Sequence, residues 1–180
     1  MKQPEMALPR PNPPASPKTL TPRLAGPAVQ TRRQPPDDDG TRAVAGPLGH
    51  IRLPAHEQSA ARARHFVREI LTPRFLQVCD DAVLLVSELI TNSVRHSDSA
   101  HRPGETLTLT LREPISGTLR VAVTDAGSPV SEPRPRHDGD QEAEHGRGLL
   151  LVETIATRWG WYEGGANRTT WFELTLPATG

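Results

Sequence analysis

From Glu57 to Leu71 the apolar side chains Ala60, Ala63, Phe66, Val67 and Ile70 recur at the spacing of one helical face, and Pro73 stands just beyond as a stop. The pattern predicts a first helix over about 57–71 with arginines on its wet face. A second helix is predicted to about Ser97 in DDAVLLVSELITNSVRHS, the most strongly patterned segment, with Asp80 or Asp81 as its N-cap. The period then changes to two. Thr106 to Arg112 (TLTLTLR) and Thr118 to Thr124 (TLRVAVT) alternate and are joined by EPISG, which predicts a hairpin turning at Gly117. A short alternation from His50 to Leu53, ended by Pro54, predicts an earlier strand.

From Ala126 to His145 there is no periodicity, only proline, glycine and charge, and so long a stretch inside a compact domain reads as a functional lid or as disorder. Gly146 to Thr157 (GRGLLLVETIAT) predicts a third helix with a glycine-rich first turn. Trp159 to Glu163 and Thr169 to Leu176 predict two last strands around the turn GGANR. The order is strand, two helices, two strands, lid, helix, two strands. It implies an α/β two-layer sandwich, a mixed β-sheet with helices on one face. There are no internal repeats.

Composition divides the chain in two. Of its 19 prolines, 11 fall between Met1 and Pro47, where no aromatic residue occurs. Such a segment buries too little apolar surface to offset its ordering entropy, so residues 1–48 are expected to form a disordered tail and 49–180 one domain. With 21 basic and 21 acidic residues the 180-residue chain carries no net charge, which argues against direct binding to nucleic acid or an anionic membrane. Cys79 is the only cysteine, which excludes a disulfide framework and a thiolate zinc site. No apolar run approaches the ~18 to 20 residues needed to cross a bilayer, and the start lacks a signal-like apolar stretch, so a cytoplasmic protein is expected.

Three separated motifs carry chemistry. On the second helix Val83, Val86, Ile90 and Val94 fall on one side, and Glu88, Asn92 and His96 fall in a row on the opposite side. A solvated face accounts for such a row more readily than a site, although asparagine, a poor mid-helix residue unless its side chain is used, weakens that reading a little. In VAVTDAGSP, Asp125 ends an apolar strand and Gly127 follows two residues later. A carboxylate there accepts from an exocyclic amine and a glycine lets a flat ring approach; the plain reading is a turn. In HGRGL, Gly146 and Gly148 would leave backbone N–H groups facing a phosphate chain at a helix start, where glycine is also ordinary capping.

Taken in order, the three motifs resemble the GHKL (histidine kinase-like) ATPase superfamily over roughly Gly49 to Leu176. Glu88, Asn92 and His96 in ELITNSVRH match its N box, Asp125 and Gly127 its first glycine box, and Gly146 and Gly148, with Arg147 between them, its second. The compact form, ending in TRWGW and TTWFEL, looks like the anti-sigma-factor serine kinase branch. The resemblance implies ATP between the helices and the lid, with Mg²⁺ bridging its phosphates. Asn92 would give the metal a neutral oxygen, Asp125 would read the adenine amino group, Gly127 would leave room for the ring, and Gly146, Arg147 and Gly148 would meet the phosphates. Thr169 matches a position near the adenine, reached directly or through water. His96, with Arg95, either contacts phosphate or sits on the surface. Glu88, one turn from Asn92, would be the catalytic residue that orients or deprotonates an incoming hydroxyl.

The implied activity is serine/threonine protein kinase chemistry on an anti-anti-sigma (STAS-type) protein, coupled to reversible binding of a sigma factor, with a homodimer allowed. Two departures bear on it: Pro129 stands where many relatives have the last glycine of the first box, and Leu151 where a third glycine of the second box would fall. The competing reading is an ATP-binding or nucleotide-independent partner-binding module without kinase activity. A detached histidine-kinase-like ATPase is disfavoured because no dimerisation helix with a phosphoacceptor histidine is present. Metal catalysis without ATP is weakest, since His101, His137 and His145 lack paired spacing and Asp138, Asp140, Glu142 and Glu144 read as a hydrated lid.

Overall fold

The computed structural model describes residues 30–32, 47–71, 73–97, 104–127, 133 and 147–177, with backbone only at 30–32 and 147. Outside them lie Gly146, Pro129, His101, most of the expected lid with His137, His145 and its four acidic residues, and nearly all of the expected tail. The elements run β1 (Gln30–Arg32), β2 (Pro47–Pro54), α1 (Ser59–Leu71), a 3-10 turn (Leu76–Val78), α2 (Cys79–His96), β3 (Thr106–Arg112), β4 (Thr118–Asp125), α3 (Arg147–Ile155), β5 (Arg158–Gly164) and β6 (Asn167–Thr175).

The strands form one sheet in the order β1-β5-β6-β4-β3-β2. Every neighbouring pair is antiparallel except β1 with β5, which is parallel, so the sheet is mixed as the pattern implied. β1 was not expected: three residues of the proline-rich stretch add a strand beside Trp159–Trp161. β2 likewise starts earlier than the His50–Leu53 alternation, at Pro47. The β5–β6 hairpin turns at Gly165, whose φ of 64 suits a residue without a side chain.

Strand alternation decides which face is dry. Gly49, Leu111, Val121, Phe172 and Trp159 form one cross-strand row. A Cβ on Gly49 would stand 3.1 Å from both Phe66 and Ile70 of α1, so this row faces the helices. Leu107, Leu109, Leu111, Val121 and Val123 meet Ala63, Val67 and Leu71 of α1 and Val83, Leu85, Val86, Leu89 and Ile90 of α2 in one continuous core. Each such valine, leucine or isoleucine contributes about 1.5–3 kcal/mol on burial. Helices on one face of a sheet make the α/β two-layer sandwich that the element order predicted.

Two local expectations change. α2 begins at Cys79 behind the 3-10 turn, with Val78 at the N-cap and no side-chain cap, so Asp80 and Asp81 sit in the first turn and act on the helix dipole rather than as caps. The buried face of α2 is also broader than the Val83–Val94 stripe, because Leu85, Leu89 and Ser93 are buried too. That puts Glu88 and Asn92 at the margin of the packed face, not opposite it.

Candidate functional site

What lies beside that margin is α3, which packs against α2. Gly148, the second residue of α3, faces Glu88 so closely that an added Cβ would stand 2.5 Å from Glu88 Oε2 and 3.3 Å from its Cβ. The carboxylate therefore lies over the first turn of α3, where unpaired N–H groups and the helix dipole favour negative charge. Asn92 follows one turn along α2, also half-buried. His96 is the last residue of α2 and exposed, where a basic side chain also suits the helix C-terminus. The structure thus unites Glu88, Asn92 and Gly148 on one seam. Arg147 opens α3, and Gly146 lies outside the described residues.

The second part of the site is the end of β4. Asp125 is 6% exposed, on the helix-facing side of the sheet. Gly127, at φ 65, donates its N–H to Asp125 Oδ1 at 2.7 Å, so the glycine's first task is to close a turn that holds the acid. Burial pushes the Asp125 carboxyl above its ordinary range, opposed by hydrogen bonds from the Ser93 side chain and the Gly127 amide and by the charge of Arg168. Ser93 reaches it from α2, five residues beyond Glu88, or about 7.5 Å along the axis. One helix therefore sets the spacing between the buried acid and the α3 seam.

Thr169 does not join this group. Its hydroxyl lies 2.8 Å from that of Thr124, and Thr124 alternates with Val123 and Asp125, so Thr169 points to the helix-free face. The neighbouring Thr170 pairs with Val123 and Trp161, on the face Asp125 uses, and is buried. On that parity Thr170, and not Thr169, shares a face with Asp125. Sequence reasoning also missed Ser93 and Arg168. Ser93 carried a signal, a hydroxyl on the apolar side of the α2 pattern; Arg168, whose guanidinium lies 5.2 Å over the Trp161 ring and donates to Glu163 at 2.8 Å, carried none.

No group of three His, Cys, Asp or Glu side chains able to hold a metal occurs among the described residues. A lone amide oxygen beside one carboxylate suits a magnesium ion that arrives with phosphate oxygens as its other ligands, so the donor set fits Mg²⁺ brought by a nucleotide. A cavity of about 210 Å³ lined by Glu57, Ile90, Thr91, Val94 and Arg95 lies on the α1 side of α2, away from the seam.

A sandwich that fixes a buried strand-end acid and a helix-start carboxylate from a single helix has the build of an ATPase domain. The chain belongs to the histidine kinase-like ATPase domain family, whose model matches residues 53–173. Membership implies ATP binding. Among solved structures the chain is similar to the RsbU and RsbW domains of Rv1364c from Mycobacterium tuberculosis, at 18% identity and a TM-score of 0.52, over 73% of this chain. The match covers 33% of that longer chain, and the likeness is one of fold. No curated protein matches. No described helix is long and apolar enough to cross a membrane.

Proposed function

We propose that residues 49–180 bind Mg-ATP between Asp125 and the α2–α3 seam and transfer its terminal phosphoryl group to a protein serine, in the manner of an anti-sigma-factor kinase. The observation that carries this is the Glu88 carboxylate over Gly148 at the start of α3, one turn from Asn92. Asp125 accepts from the adenine amine, with Ser93 and the Gly127 amide fixing its orientation. Gly148 leaves the first turn of α3 open to phosphate oxygens. Asn92 would offer its amide oxygen to the magnesium that arrives with the nucleotide, and that ion would supply neutralisation of phosphate charge.

In the transfer the serine Oγ–P bond forms as the bond from phosphorus to the bridging oxygen of ADP breaks. Glu88 orients the hydroxyl and takes its proton, directly or through water. In this reading His96, Arg147 and Gly146 are assigned to the phosphates. The partners are a serine-bearing anti-anti-sigma protein of the STAS type and a sigma factor, with a homodimer allowed, in the cytoplasm.

The test is unfolding temperature with and without Mg-ATP. Ligand at ~100 times its dissociation constant adds about 2.7 kcal/mol, and the shift should need Mg²⁺ and vanish in Asn92→Ala. Glu88→Ala should keep the shift and lose phosphoryl transfer to a STAS-type protein. A folded parent that shows no shift at millimolar nucleotide refutes the ATP site. A shift without transfer to any serine-bearing partner favours a binding module.

A further inference from the structure

α1 and α2 pack side by side. Arg64 Nη1 of α1 donates to Ser87 Oγ of α2 at 3.4 Å, and Glu57, just before α1, shares a cavity with Val94 and Arg95 near the end of α2. A step back along α1 is thus a step forward along α2, and the two helices run antiparallel. From the Arg64–Ser87 bond, Glu57 lies about 10 Å back and Arg95 about 12 Å on, so the two stand level across the groove.

The cavity there measures about 210 Å³. Ile90 and Val94, one turn apart on α2, give it an apolar floor, Thr91 adds a hydroxyl, and Glu57 and Arg95 bring opposite charges to one end. Thr91 and Val94 are half-buried, whereas Glu57 and Arg95 are exposed. Neither charged side chain has a hydrogen-bond or ion-pair partner among the described residues, and they do not pair with each other. Beyond the other end of α1, by contrast, Arg74 closes on Glu113 at 2.7 Å.

Size and charge together select a ligand. At about 30 Å³ for each water-sized group the cavity has room for about seven, fewer than the ~300–1,000 Å³ sites of drug-sized molecules hold. Because the charges share one end, the ligand must carry its cation and its anion at one end too, a donor group for Glu57 and a carboxylate for the Arg95 fork. The floor then leads away from that end toward Ile90, where only an apolar tail is matched. A dicarboxylate or a diamine would set like charges together, and a phosphate ester would face Glu57. A zwitterionic head on a short aliphatic tail meets all three demands.

We propose that the α1–α2 cavity binds a free aliphatic amino acid of the leucine, isoleucine or valine type, with its ammonium on Glu57, its carboxylate on Arg95 and its side chain on Ile90 and Val94. The site is separate from the α2–α3 seam and does not depend on the nucleotide reading.

The test titrates the full chain with L-leucine up to millimolar concentration, by calorimetry and by the NMR amide shifts of residues 90–95. Saturable binding that moves those amides is expected. Arg95→Gln and Glu57→Gln change exposed side chains outside the core, and each should weaken binding about tenfold. The ligand should show matching losses. Leucinamide lacks the carboxylate, so it should bind the parent weakly and be insensitive to Arg95→Gln; N-acetyl-leucine lacks the ammonium and should be insensitive to Glu57→Gln. Glycine, without a tail, should not bind measurably. No saturable binding of L-leucine, L-isoleucine or L-valine, equal affinity in the parent and both variants, shifts confined to other elements, or glycine as tight as leucine would each overturn the proposal.

Discussion

Gly148→Ala separates the fold from the chemistry. The new Cβ would lie 2.5 Å from Glu88 Oε2, 3.3 Å from its Cβ and 3.4 Å from its Cδ. The nearest atom is the end of a flexible, half-buried side chain, so the carboxylate swings aside at a rotamer cost of about 0.5–1.5 kcal/mol. Alanine in place of glycine returns up to about 1 kcal/mol of helix propensity. The two terms nearly cancel, and the single variant should unfold within about 1 kcal/mol of the parent, roughly 4 °C for a domain of this size. In a Glu88→Ala background the steric term shrinks, so the same substitution should stabilise by close to the full propensity value. Activity should respond differently. A carboxylate displaced by about 1 Å costs on the order of a hundredfold in rate, so Gly148→Ala should transfer phosphate nearly as poorly as Glu88→Ala while folding normally. Urea denaturation of the four chains of this cycle, with phosphoryl transfer measured in parallel, checks both halves. A loss of several kcal/mol that is equal in both backgrounds would refute the argument, because it would show that Gly148 is required for reasons unconnected with Glu88.

Asp125→Asn should abolish nucleotide binding and leave the empty domain within about 1 kcal/mol of the parent at neutral pH, since a buried charge is removed. Burial raises the folded-state pKa of Asp125 above its unfolded value, so the folded state holds the proton more tightly. The associated stability is complete below about pH 3.9 and is lost as pH rises through the raised folded value. With rising pH the urea midpoint of the parent should therefore fall relative to that of the variant in that window and the two should run parallel above it, and a constant difference from pH 4 to 7 would disprove the assignment. Thr170→Val should weaken ATP binding, whereas Thr169→Val should leave it intact and remove only the hydroxyl pair with Thr124, at a cost of about 1 kcal/mol; calorimetric titration of both distinguishes the two faces.

Periodicity made most of the scaffold legible. The Thr106–Arg112 alternation is β3 to the residue, and β4 extends Thr118–Thr124 only by Asp125, because one buried face writes a period of two. The stripe of α2 was legible for the same reason, but not its full width. Leu85 and Leu89 could have faced water on an isolated helix, and only the packing of the whole core decides otherwise. Parity failed in TTWFEL, since both faces of β6 are dry and apolar residues occupy both, so nothing in the string says which threonine faces Asp125. β1 left no trace either: three residues supply too little pattern, and their strand exists only because β5 offers an edge. In the site, Glu88, Asn92, Asp125 and Gly127 were readable as motif letters. Ser93 and Arg168 act through contacts made across the fold, which one-dimensional spacing does not encode.

That short parallel strand also bears on how the protein keeps from sticking to itself. β5 carries Trp159 and Trp161 in the run RWGWYEG, a segment of aromatic and β-forming residues of the kind that pairs with strangers when its edge is bare. Gln30, Thr31 and Arg32 occupy the backbone groups beside Trp159, Gly160 and Trp161, and end in a charge. A shortened version starting at Pro47 would keep every residue of the nucleotide site and yet present a naked aromatic edge. Its poor solubility would then reflect a missing guard strand rather than a misfolded core.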